Sequence, residues 1–220
     1  MNNARTRILS RLRQGQHKPK TAIPFKARRL ETEHFESGVI KALFIDQLRE
    51  SHAEVYESDG ENWSEIITQI ANENSFKTWL VAKNLPLIEQ TYKTLKSSQN
   101  NLSFIHYDKD YETLKECLFK EVDASITLAK AAIAETGTLL LIPDKHEPRM
   151  MSLIPPVHIV LLKQSDIVTS FQQIVDQPPW ESTAMPTNIV FISGPSKTAD
   201  IQQTLAYGAH GPKRLIVIII

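Results

Sequence analysis

The densest concentration of groups able to do chemistry is Val190-Phe-Ile-Ser-Gly-Pro-Ser-Lys-Thr-Ala-Asp-Ile201. An apolar strand stops at Ser193, a Gly194-Pro-Ser196 turn follows, and the spacing predicts a helix over residues 198–207. In open α/β sheets, ligands bind beyond the carboxyl ends of strands, where helix N-termini offer unpaired N–H groups to anions. Ser193, Ser196 and Thr198 add hydroxyls and Lys197 a positive charge, which together suit a carboxylate or phosphate. The competing structural reading is that Ser196 or Thr198 caps the helix while Asp200 complements its dipole.

Three other segments carry candidate groups. Ala132-Ile-Ala-Glu-Thr-Gly-Thr138 places a carboxylate, Glu135, beside two hydroxyls, Thr136 and Thr138, and Gly137 immediately before a strand. Glu135 there is either a nucleophile or general base, or a solvated residue of a tight turn. Pro148-Arg-Met-Met-Ser-Leu-Ile-Pro-Pro-Val-His158 offers Arg149 as a bidentate carboxylate clamp or a surface ion pair, and His158 at the start of a strand. Gly208-Ala-His-Gly-Pro212 is a turn in which His210 and Gly211 stand next to the last strand. No G-x-G-x-x-G, Walker A loop or G-x-S-x-G elbow occurs, which disfavours classical NAD binding, P-loop and α/β-hydrolase chemistry. The seven histidines show no zinc spacing, and the single Cys117 holds neither a disulfide nor an iron–sulfur cluster within the chain.

These segments must be held by elements whose pattern alternates. Helical stripes are expected at 35–48, 63–70, 87–95, 111–120 and 167–175, and strands at 53–57, 78–82, 102–107, 124–128, 138–142, 158–162, 188–192 and 215–220, with an Ala-rich connector at 129–135. Several strands are unbroken aliphatic runs, as when both faces of a parallel sheet are covered. The expectation is an α/β fold with a largely parallel sheet covered by helices on both faces. Residues 216–220 are uniformly apolar and belong in the sheet's interior.

Charge divides the chain. The net charge of zero conceals nine Lys or Arg and no acid in residues 1–30. The expected organisation is a basic amphipathic arm with a linker over 14–24, followed by a single α/β domain over 31–220. The Arg-rich start resembles a mitochondrial transit peptide but has few Ser; an arm packing on its own body or on a partner is favoured. No apolar run approaches the roughly 20 residues of a membrane span, the first 20 residues lack a signal-peptide core, and the cysteine usage fits the cytoplasm. Nucleic-acid binding through the arm ranks last, because the acidic body opposes it and no aromatic residues interleave with the bases.

Taken as an ordered set, Ala134-Glu-Thr-Gly-Thr138, Arg149 with Pro155-Pro-Val-His-Ile159, Ile192-Ser-Gly-Pro-Ser-Lys-Thr-Ala-Asp-Ile201 and Gly208-Ala-His-Gly-Pro212 resemble the LUD domain family of lactate utilisation protein C, most strongly over residues 120–220. The family pattern has Arg where this chain has Lys197 and Glu where it has Gln202; Lys keeps the charge and loses the bidentate fork. The resemblance implies a fold like the NagB/RpiA/CoA-transferase group. It also implies a place in a bacterial complex that oxidises L-lactate to pyruvate, with iron–sulfur clusters on partner subunits and none bound by this chain. The alternative is an independent CoA-transferase-like or sugar-phosphate-isomerase-like enzyme using Glu135, for which fold analogy is the chief warrant.

Overall fold

The computed structural model describes residues 4–15 and 36–220 apart from 61, 83–84, 99–101, 109–110, 177–185, 200–204 and 209. The expected linker beyond residue 15, and Asp200 and Gln202, lie outside the described residues. Two compact units are present, Met1–Glu31 and Thr32–Ile220. In the first, α1 (Ala4–Gly15) is a helix on which Ile8 and Leu12 are exposed.

The second unit is built on six parallel strands: β1 (Glu54–Glu57), β2 (Thr78–Val81), β3 (Ser103–His106), β4 (Ala124–Leu128), β7 (Val157–Leu162) and β12 (Arg214–Ile219). Their order is β1-β12-β7-β4-β2-β3. A parallel strand is covered on both faces, which is why β7 and β12 are aliphatic at nearly every position. Side chains alternate across them. Val157, Ile159, Leu161, Ile216 and Ile218 join one core with α3 (Trp63–Asn74), α4 (Pro86–Ser98) and α5 (Tyr111–Lys120). Val160, Leu162, Leu215, Val217 and Ile219 join the other with α2 (Ser37–Glu50).

Helices thus lie on both faces, but the second face carries α2 beside a four-stranded mixed sheet. That sheet comprises β5 (Ala131–Ile133), β6 (Thr138–Leu141), β8 (Ile167–Val168) and β9 (Val190–Ile192), in the order β8-β5-β6-β9. Only β5 and β8 run parallel in it. The strand expected at 138–142 therefore belongs to this layer and not to the parallel sheet.

Three expected elements change. The Ala-rich connector contains β5 and a 3-10 turn, Ala134–Thr136. The helix expected at 167–175 is β8 followed by a short α6 (Phe171–Val175). Gln173 causes the break, its side-chain Oε1 accepting from the Thr169 N–H at 2.7 Å and so starting the helix there. The helix expected at 198–207 is instead an antiparallel pair, β10 (Lys197–Ala199) and β11 (Leu205–Tyr207). Its ends are tied by the Gly208 N–H donating to the Ser196 carbonyl at 2.9 Å, with Gly208 at φ +79°, a conformation that favours glycine.

The expectation for the last residues holds for 216–219, while Ile220 is half-buried beyond the end of β12. Leu215, Ile216, Val217, Ile218 and Ile219 are all buried, in a strand flanked by β1 and β7. At about 1.5–3 kcal/mol for each buried aliphatic side chain, their loss matches the roughly 5–15 kcal/mol net stability of a whole domain.

Candidate functional site

His158 is the second residue of β7, and alternation turns it away from the three-helix core, toward the layer formed by α2 and the mixed sheet. It is fully buried. Burial alone pushes its pKa down to about 3, so the ring is neutral at pH 7. Its Nε2 lies 2.8 Å from the Thr127 hydroxyl on the adjacent strand β4. Its Nδ1 has no hydrogen-bond partner among the described residues.

The imidazole borders a cleft of about 200 Å³, where β7 and β12 begin. The other polar groups lining it are Ser152, Ser193, Ser196 and His210. Ser152 ends a 3-10 turn, Arg149–Ser152, and its hydroxyl donates to the Arg149 carbonyl at 2.9 Å. Ser193 follows β9, and its hydroxyl is 2.8 Å from that of Thr138, which is 2.7 Å from that of Thr136. The Ser196 N–H donates to the Pro212 carbonyl at 2.8 Å, joining the two loops that make the rim.

Glycine permits these approaches. A Cβ on Gly194 would stand 2.8 Å from the Ser51 carbonyl oxygen. One on Gly137, at φ +57°, would stand 2.8 Å from the backbone of Gln47 and Leu48. Both contacts are shorter than carbon atoms tolerate, and together they let the loops close on the end of α2.

The fold therefore gathers His158, Ser193, Gly194, Ser196, His210 and Gly211 from three sequence segments into one cleft. Thr138 reaches it through Ser193, and Thr136 through Thr138. Other candidates lie elsewhere. Glu135 is exposed, and its Oε1 accepts from the N–H of Phe171, the first residue of α6, at 3.2 Å. Lys197 is exposed at the start of β10, and Thr198 is in the same strand. The amino end of a helix, on which an anion pocket at this loop was to rest, is replaced by the β10-β11 pair.

Arg149 borders a second, much smaller pocket of about 10 Å³, shared with Thr127, Glu147 and Ser152; that is room for about one water. The Glu147 carboxylate accepts from the Leu128 N–H at 2.9 Å. Burial raises its pKa to about 7, against the opposing pull of the Leu128 hydrogen bond and with help from Asp144.

Sequence reasoning missed Thr127, Ser152 and Glu147. The signal for Thr127 was present, since Ser125 and Thr127 interrupt an otherwise apolar strand at alternate positions and so share one face. For Ser152 and Glu147 the loops had to be folded first. Chemically, the imidazole is neutral, held at Nε2 by Thr127 and buried at Nδ1 without a partner among the described residues. With a pKa near 3 it is a weak proton acceptor at pH 7.

The profile of the LUD domain family matches residues 41–220. An uncharacterized protein of Neisseria meningitidis serogroup B is 34% identical, over 99% of this chain and 94% of its own length. Lactate utilization protein C 1 of Bacillus mycoides is 32% identical over 77% of this chain and 74% of its own. Lactate utilization protein C of Halalkalibacterium halodurans is 25% identical over 86% and 81%. A crystal structure of a DUF162 family protein from Deinococcus radiodurans superposes with a TM-score of 0.62, at 20% identity, over 84% of this chain and 99% of that one; it shows the shared fold. With the profile matching from within α2 to the last residue, and the cleft assembled from the segments that carry the resemblance, the chain belongs to the LUD domain family.

Proposed function

We propose that this protein is a cluster-free subunit of a bacterial lactate-utilisation assembly that oxidises L-lactate to pyruvate. In this reading, partner subunits carry the iron–sulfur clusters and this chain contributes docking surface and the ligand pocket over His158. The observation that carries the proposal is its likeness to lactate utilization protein C of two organisms across three quarters or more of the chain. The lone Cys117 suits that division of labour, because electron transfer through clusters then falls to other chains. Among the described residues, no helix is long and apolar enough to cross a membrane, and we place the assembly in the cytoplasm.

An independent acyl-transfer enzyme built on Glu135 has less support, since that carboxylate holds the start of α6 at the surface and does not line the cleft.

The test is deletion of the gene, with capture of partners on the tagged full chain. The expected result is loss of growth on L-lactate, restored by the gene in trans, with iron-containing subunits retained on the tag. Normal growth of the deletion strain and an iron-free eluate overturn the proposal.

A further inference from the structure

We infer that the outer face of the mixed sheet docks a partner subunit through the exposed aromatic pair Phe171 and Phe191, and that the segment it receives is apolar and basic, with Lys or Arg beside aliphatic side chains. This rests on the assembly proposed above and names the surface of this chain that meets a partner there.

The pair is fixed in place and open to water. Phe171 begins α6 and Phe191 is the middle residue of β9, and their rings meet edge to face with centroids 5.6 Å apart. Phe171 is 47% exposed, Phe191 44%, and Val175, one helical turn after Phe171, 36%. Ile174 on the same helix is buried in one cluster with Ile133 and Leu140, which ties α6 to the sheet. Gln173 and Glu135 hold the start of the helix through the Thr169 and Phe171 N–H groups. Aromatic rings are enriched at interfaces, and rings already held in position lose little freedom when a partner covers them.

Charge names the occupant. Residues 131–143, 164–176 and 186–192, which make up this layer, hold Glu135, Asp166 and Asp176 and no Lys, Arg or His. Glu135 and Asp176 stand at the two ends of α6, and both are exposed. An apolar patch with acids at its rim selects a segment that brings cations to them. A second copy of this chain would set the same acids against each other, and an anionic lipid surface would be repelled in the same way. Area points to a segment too. A buried Phe covers roughly 150–250 Å², so the open fractions of the two rings offer roughly 140–230 Å², well short of the roughly 800 Å² per partner of a stable interface. The pair is an anchor for a piece of a larger partner.

The experiment gives the tagged full chain the photoreactive substitution Phe171→p-benzoylphenylalanine, irradiates it during capture of its partners and sequences the cross-linked peptide. The expected adduct joins position 171 to an iron-containing subunit, within a stretch that carries Lys or Arg among aliphatic residues. Phe171→Ser combined with Phe191→Thr is expected to lower capture at least tenfold. Glu135→Gln combined with Asp176→Asn keeps acceptors for the Phe171 N–H and the Gln172 amide while removing two charges. It is expected to lower capture at least threefold and to flatten its dependence on salt. Should the aromatic double variant not fold, the cross-link and the charge variant decide. Unchanged capture in the folded variants, an adduct to a second copy, an adduct to a stretch without Lys or Arg, or iron-containing subunits retained with no adduct overturns the inference and leaves the assembly standing. If the wild-type chain retains no iron-containing subunit, both fall.

Discussion

The Thr127 hydroxyl sits 2.8 Å from Nε2 of His158, joining the neighbouring parallel strands β4 and β7 inside the sheet. The paired residues are Ser125 with His158 and Thr127 with Val160, so the bond runs diagonally between side chains on one face. It fixes the plane of the ring, whose other nitrogen is buried without a hydrogen-bond partner among the described residues.

Thr127→Val keeps the shape of the side chain and removes the hydroxyl. The buried Nε2 of His158 then has no partner, at a cost of about 1–3 kcal/mol. Urea unfolding at pH 7 is expected to show that loss, while Thr127→Ser recovers most of it. A Val variant as stable as wild type would mean that the bond contributes nothing to holding the ring.

One fully buried group, His158, and one partly buried group, Glu147, give the stability a defined pH shape. Glu147, raised to about 7, binds more protons folded than unfolded from about pH 4.5 upward, so its contribution is lost as pH rises through 7. His158, lowered to about 3, binds fewer protons folded than unfolded below its ordinary value of 6.5, so its contribution is lost as pH falls from there toward 3. Between about pH 4.5 and 6.5 the two slopes oppose each other and largely cancel. Glu147→Gln is expected to expose the rising limb of His158 across that window, read as urea midpoints from pH 3.5 to 8. A variant whose profile matches wild type would show that Glu147 ionises normally.

The parallel sheet was legible because β4, β7 and β12 are aliphatic runs with no other stable place in a soluble chain. The cleft was legible in pieces. His158, Ser193 and His210 stood out by type, but their meeting depends on loops brought together by backbone bonds such as Ser196 to Pro212, which leave no mark in the spacing. The hairpin at 197–207 was misread because residues 198–207 carry a helix-like apolar spacing, while the tie between Ser196 and Gly208 that decides the outcome is not local. For Glu135 the sequence offered a nucleophile or a solvated turn residue; the structure has it exposed in a 3-10 turn, and the partner that holds it there, the Phe171 N–H, is 36 positions away.

Gly137 tests how the mixed sheet is clamped to α2. Its backbone is left-handed, and an added Cβ would collide with main-chain and side-chain atoms of Gln47 and Leu48 that lie within 2.8 Å. Relief requires α2 to move, and α2 carries Phe44 and Leu48 into the core. Gly137→Ala is therefore expected to cost more than the roughly 1 kcal/mol of a left-handed alanine alone. Thermal unfolding gives the check, and a melting temperature unchanged within error would show that the helix yields freely.

The basic arm makes the last prediction. An isolated helix of 12 residues is marginal in water, and α1 exposes Ile8 and Leu12, about 60% each, among Arg5, Arg7, Arg11 and Arg13. The family profile begins at residue 41, and the buried residues of the core clusters all belong to the second unit. Deleting residues 1–30 is expected to change the unfolding free energy of the body by less than about 0.5 kcal/mol, the range of surface changes. Capture of the proposed iron–sulfur partners by the shortened chain is expected to fall at least tenfold. Capture by the full chain should weaken as salt rises, because exposed charges are screened beyond about 8 Å at physiological ionic strength. If the shortened body unfolds, the arm is part of the core; if capture is unchanged, docking rests on the acidic body alone.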